Sequence, residues 1–314
     1  MTDERRAALA EMTGRFPAVA ERFRRVYGLR LPRHTAVAAA FFASATPAES
    51  AALDRMGLRP AGVLDHFGAD GPRLVARDGL DERLHWRYRR DPAEFVTVMS
   101  GGSDGLHFGL WYDDPAHLPS LIAFNYARDS AETGTDRCST ILEQVGIHLA
   151  HVDRDLRGYG EDTAVLEPLR DALHWFHEID RASLKEDGPR RLTRLKRPKG
   201  GISVGPVLLP GIGDPRLTPA ATRHRLADYR DPAAARRHID LARAELAEGR
   251  PAFALTVGGE LHWCDVDAFR HEALELLTGA YRALGRDALA SIVEVHYANR
   301  DLRSVNVLVV GDDR

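Results

Sequence analysis

The segment "ELAEGRPAFALTVGGELHW" (245–263) holds the residues best suited to chemistry. A helical run ends at Gly249, the residue type expected just past a helix, with Pro251 beyond it. Glu248 occupies the last turn, where a carboxylate faces the negative end of the helix dipole at a cost of about 0.3–1 kcal/mol. A carboxylate held there could take a proton as a general base. Arg250 stands close enough to neutralise it, and from these residues alone a solvated helix end is favoured over catalysis.

Strand alternation places Glu260, His262 and Cys264 on one face of a hairpin, "FALTV-GG-ELHW", with the glycine pair at the turn. That face carries zinc-ligand types, but three ligands from one strand converge poorly on a tetrahedron. No second cluster completes a set, so a histidine beside a buried thiol is favoured and no metal is expected. The basic run "PRRLTRLKRPKGG" (189–201) could touch the phosphates of a nucleic acid, NAD or ADP-ribose. It has no interleaved aromatics and the chain's net charge is −3, so a solvated loop is favoured and nucleic acid is not expected. "GIGD" (211–214) lacks the helix start and the Lys-Ser/Thr of a phosphate loop. No His-Glu-x-x-His pattern occurs.

The elements that carry these residues follow from periodicity and punctuation. Helices are expected over 3–26, 34–43 and 48–56, the last capped at Thr46–Pro47. Strands are expected at "LHWRYR" (84–89), "EFVTVMS" (94–100), "LHFGLWYD" (106–113) and "SLIAFNYA" (120–127), separated by Gly-, Asp- and Pro-rich turns. After 136 the pattern turns helical, with "ISVGPVLLP" as a strand and "GIGDPRLTP" as a loop. Asp231–Pro232 opens a helix to about Glu248. Helices over 266–284 and 286–299 and a terminal strand "SVNVLVV" close the chain. The expected class is α+β, with helices and an antiparallel meander in an N-terminal domain, 1–135. The C-terminal domain, 136–314, is expected to be mostly helical with a β-hairpin.

At 314 residues, 44% hydrophobic and 28% charged, the chain can bury a substantial core. Its cations are nearly all arginine, which with abundant alanine reads as the composition of a bacterial genome rather than a set of phosphate clamps. Two cysteines provide no disulfide framework. The N-terminus has no apolar segment of signal-peptide type, and no apolar run reaches the ~18 residues that span a bilayer. A cytoplasmic protein without membrane contact is the expectation.

Taken together, several segments resemble the histone PARylation factor family, accessory proteins that complete the active site of poly(ADP-ribose) polymerases for serine ADP-ribosylation. "LHWRYRRDPAEFVTVM", "LHFGLWYDDPAHLP", "AEGRPAFALTVGGELHW" and the closing "VEVHYANR" carry the resemblance, in family order, over roughly residues 15–300. Counted back from Phe269 without a gap, the family's catalytic glutamate falls on Glu248. The resemblance implies that Glu248 takes the proton of an acceptor serine as its oxygen attacks the anomeric carbon of NAD. It implies a substrate- or partner-binding set of Arg216, Asp214, Arg250 and Glu260. Arg216 stands where the family has the arginine of a Tyr-Arg pair, but Pro215 replaces the tyrosine and Ala247 replaces the acidic neighbour of the glutamate. The implied partner is an ADP-ribosyltransferase that brings NAD, with no tightly bound cofactor in this chain and NAD or ADP-ribose as substrate. Two other readings stand beside it: a self-sufficient enzyme on the N-glycosidic bond of NAD or of an ADP-ribosylated compound, and a non-catalytic binding module. For the last, "YGLRLP" followed by strands is similar to the SMI1/KNR4-type immunity fold.

Overall fold

The computed structural model describes residues 3–188, 192 and 195–311. Three helices lead, α1 (Asp3–Tyr27), α2 (His34–Ala43) and α3 (Pro47–Met56). The start of α3 is fixed by a capping box: Glu49 N–H donates to the Thr46 hydroxyl at 3.3 Å, and Thr46 N–H to the Glu49 carboxylate at 2.9 Å. The apolar helix α2 is buried from His34 to Phe41, so protein surrounds it on all sides.

Strands β1 (Arg59–Pro60), β2 (Leu74–Ala76), β3 (Phe95–Ser100), β4 (Leu106–Trp111), β5 (Leu121–Tyr126), β6 (Thr133–Gly134) and β7 (Leu308–Val310) form two antiparallel sheets. One has the order β1-β3-β4-β5-β6, and the other pairs β2 with β7. Alternation along β4 decides which face each side chain meets. Leu106, Phe108 and Leu110 join the main core, whereas Trp111 joins Phe95 and Ala123 in a small cluster. The Phe95 ring lies across Gly109, where a Cβ would come within 2.5 Å of a ring carbon. Both faces of the sheet are thereby covered.

Seven more helices follow: α4 (Ile141–Gly158), α5 (Glu167–Glu186), α6 (Pro219–Asp228), α7 (Pro232–Ala247), α8 (Ala252–Cys264), α9 (Arg270–Ala283) and α10 (Asp287–Ala298). Helices α4 and α5 pack on α2 and α3, while α9 lies against α7, α8 and α10. The main core cluster draws on both halves of the chain, from Met12 to Val293. Among the described residues no single helix is long and apolar enough to cross a membrane.

The α+β class is as the sequence predicts, as are the front helices and the three central strands. Three expectations are corrected. First, 252–263 is not a hairpin but the body of α8, so Glu260, His262 and Cys264 do not share a strand face. This helix is buried from Ala252 through Gly258 and again at Glu260 and Leu261. A helix enclosed this way has no polar stripe to reveal a 3.6-residue period, and its Phe-x-Leu-x-Val run imitates a strand. Gly258 makes no turn; a Cβ there would lie 2.9 Å from Leu277 Cγ, so it admits α9 at close range.

Second, 84–89 is not a strand. The chain wraps around the buried Arg87 guanidinium, which donates to the carbonyls of Pro92 at 2.9 Å and Phe95 at 2.8 Å. Trp86 is left-handed at φ 54°. Third, 202–210 forms no ladder. Gly205 and Gly211 take positive φ, and Pro206 and Pro210 have no N–H to donate.

Candidate functional site

Helix α7 is defined at both ends by its sequence. The Asp231 carboxylate accepts from Ala233 N–H at 2.8 Å, with Pro232 at the first helical position. At the other end Gly249 is left-handed at φ 79°. Gly249 N–H donates to Leu246 O at 3.0 Å and Arg250 N–H to Glu245 O at 2.9 Å. These two bonds make a Schellman motif, which fixes the backbone of Glu248 at the helix end. The Glu248 side chain is 59% exposed and ion-paired with Arg250, itself 44% exposed. Pairs this exposed hold each other weakly and exchange readily with water or an incoming group.

The loop 211–218 lies against that turn. Ala252 N–H donates to Ile212 O at 2.8 Å, and a Cβ on Gly213 would stand 3.0 Å from Arg250 Cβ. The Asp214 carboxylate accepts Arg216 N–H at 2.8 Å, which holds Arg216 at φ 51°. Pro215 O accepts from the Thr256 hydroxyl at 2.8 Å, and Arg216 O from Arg225 at 3.1 Å. The Arg216 guanidinium lies 4.0 Å over the Phe253 ring and pairs with Glu245. Its Nη1 is buried and has no partner among the described residues.

The structure therefore gathers Asp214, Arg216, Glu248 and Arg250 at one turn-and-loop junction. It pairs Arg216 with Glu245 rather than Glu248. Sequence reasoning missed Glu245, although its place three residues before Glu248 puts both on one helix face. Glu260 is elsewhere: 2% exposed, bound through both oxygens by Arg225 at 2.8 and 2.6 Å, and hydrogen-bonded by the Tyr229 hydroxyl at 2.7 Å. Its carboxylate is committed inside the protein. Burial pushes the Cys264 thiol up to about 11 and holds the neighbouring His262 in the neutral form, with Arg300 adding to the effect. No group of three or more metal-ligating side chains occurs among the described residues.

The basic run falls in part outside the described residues, at Arg190, Arg191 and Arg194. Arg197 turns inward, pairing with Asp113 and donating to the Ser120 hydroxyl at 3.0 Å and Gly205 O at 2.7 Å. That guanidinium is a loop anchor and not a free phosphate contact.

Comparison with known proteins bears on the family of the chain. A family model described as histone PARylation factor 1 matches residues 20–191, more than half of the chain. The chain is 25% identical over 291 residues to histone PARylation factor 1 of Bos taurus, covering 83% of this chain and 80% of that protein. The protein of that name from Mus musculus is 24% identical over 282 residues, with the same shares covered. In the Danio rerio protein of that name, 81 residues align at 32% identity, 26% of this chain and 23% of the relative. The order of the aromatic and Asp-Pro segments, the matched span and the length shared with these relatives agree: the chain belongs to the histone PARylation factor 1 family.

Proposed function

We propose that this protein is an accessory factor of a poly(ADP-ribose) polymerase-type transferase, to which it supplies Glu248 as general base. The observation that carries the reading is the combination at Glu248: a backbone fixed by the Schellman turn and a carboxylate left in solvent. A base that works on its own protein's substrate would be expected inside a cleft. Glu248 instead stands 59% exposed at a helix end, on a surface a second protein can cover. The transferase then brings NAD, and the acceptor hydroxyl enters between the two proteins.

The chemistry asked of the carboxylate is a single proton transfer. As the acceptor oxygen bonds to the anomeric carbon and nicotinamide leaves, the hydroxyl proton passes to a Glu248 oxygen. Arg250 is the group to be displaced or redirected, since it shields the carboxylate in the free protein. Arg216, stacked on Phe253 and paired with Glu245, keeps its side chain 35% exposed for the partner to meet. An arginine already held by these two contacts loses little freedom on binding, which favours it as an anchor.

The test uses the whole chain with NAD, alone and with a polymerase-type transferase and a hydroxyl-bearing acceptor peptide. Transfer to the peptide that requires both proteins and disappears in Glu248→Gln supports the proposal. Consumption of NAD by this chain alone would replace it with the self-sufficient enzyme. Full transfer by Glu248→Gln would remove Glu248 from the chemistry.

A further inference from the structure

A cavity of about 90 Å3 lies beside the core, between the second face of the sheet, the 201–206 loop and α8–α10. Its walls are apolar, chiefly Trp111, Leu255, Leu277, Ile292 and Val293. Ser203 and Trp263 at its edge are part-exposed, so solvent reaches it. The two adjacent glycines of α8 explain how it stays open. Gly258 is required by the close approach of Leu276 and Leu277, but a Cβ on Gly259 would meet nothing within 4 Å. A glycine inside a helix costs about 1 kcal/mol relative to alanine. At Gly259 no contact with a neighbour requires that cost, and the space left is cavity.

Apart from Arg90 at the edge, the ionisable groups of the lining are engaged within the protein, Asp91 with His107 at 3.0 Å among them. Burial pushes the Glu94 carboxyl up, and the Tyr281 hydroxyl donates to it. Burial holds His296 well down, reinforced by His262 and Arg87, so the imidazole is neutral. The charge of Glu260 is balanced by Arg225. Arg90, at the edge beside the Trp263 ring, is the cation of the lining.

We infer that this cavity binds a small uncharged molecule, apolar over most of its surface, whose single hydrogen-bonding head meets Glu94 and Tyr281. An engineered apolar cavity of about 150 Å3 holds benzene. At about 90 Å3 with an open edge, this one takes most of a six-membered ring and leaves the rest beside Gly259. Such a site is concave, apolar and provided with a few convergent polar groups, as small-molecule sites generally are. A diphosphate such as ADP-ribose is both too large and wrongly charged for it. The inference is therefore independent of the role of Glu248.

The experiment titrates the full chain with phenol and with benzamide, using benzoate and ADP-ribose as charged comparisons, and follows binding by ligand-observed NMR. The neutral probes are expected to saturate one site. Gly259→Leu fills the cavity and is expected to weaken them about tenfold or more. Gly259→Ala, which adds one methyl group, is expected to give a smaller loss and serves as the filling variant if leucine impairs folding. The inference is overturned if neither neutral probe binds, if benzoate or ADP-ribose binds the same site as tightly, or if filling at Gly259 leaves affinity unchanged.

Discussion

Replacing Glu260 by glutamine tests whether this carboxylate acts as an internal strut. Glutamine keeps the shape but removes the charge that Arg225 faces at 2.6 and 2.8 Å, with both residues at most 3% exposed. Removing one member of a buried ion pair strands the other, at a typical cost of about 3–5 kcal/mol. Unfolding entropy of about 2.1 cal/mol/K per residue over 314 residues amounts to about 0.66 kcal/mol/K. The expected fall in Tm is therefore about 5–8 °C, read by differential scanning calorimetry. The double variant Arg225→Met/Glu260→Leu removes both charges and should lie much nearer the wild type, because no charge is left unpaired. A Glu260→Gln protein within about 1 °C of the wild type would refute the reasoning. It would mean that water or Tyr229 satisfies the guanidinium without the anion.

Other expectations are narrower. Gly258→Val drives a side chain into Leu277 and should destabilise by about 1–3 kcal/mol in urea unfolding, whereas Gly259→Val should not, since its Cβ site is empty. Burial, with Arg22 nearby, lowers His66 from 6.5 to about 4, so between those values the unfolded chain binds a proton that the native chain refuses. Stability attributable to His66 is therefore complete above pH 6.5 and falls with acid down to about 4, by up to about 3 kcal/mol. Urea titrations across that range should show a shallower acid slope in His66→Gln. Arg216→Lys keeps the charge but loses the flat stack on Phe253 and the fork to Glu245. Calorimetric titration should show weaker binding to the transferase, while the unfolding midpoint changes by less than in Glu260→Gln.

The punctuation of the fold was legible where it is local. Thr46–Pro47, Asp231–Pro232 and Gly249 act through atoms a few residues away, and the helix ends they specify fall where the sequence indicates. The same chemistry at Thr218–Pro219 opens α6, a helix that the reading of 211–219 as a loop did not extend to. The strands β3 to β5 were legible because aromatic and β-branched residues coincide with clear turns. Where burial comes from distant segments, the pattern misled. Helix α8 is enclosed on most sides and has no polar face, and the aromatic-rich stretch at 84–89 is shaped by one buried guanidinium. The candidate site divides in the same way. Glu248 and Arg250 are neighbours in sequence, but the pairing of Arg216 with Glu245 exists only because loop 211–218 folds back on α7.

The central claim is that Glu248 performs a proton transfer and does not merely help the two proteins meet. The decisive measurement compares wild type and Glu248→Gln under saturating transferase, with complex affinity and the rate of transfer to a hydroxyl acceptor determined on the same samples. The account predicts equal affinity and a rate lower by about 10²–10⁴, the range of general-base contributions. An unchanged rate, or a rate loss fully matched by lost affinity, would contradict it.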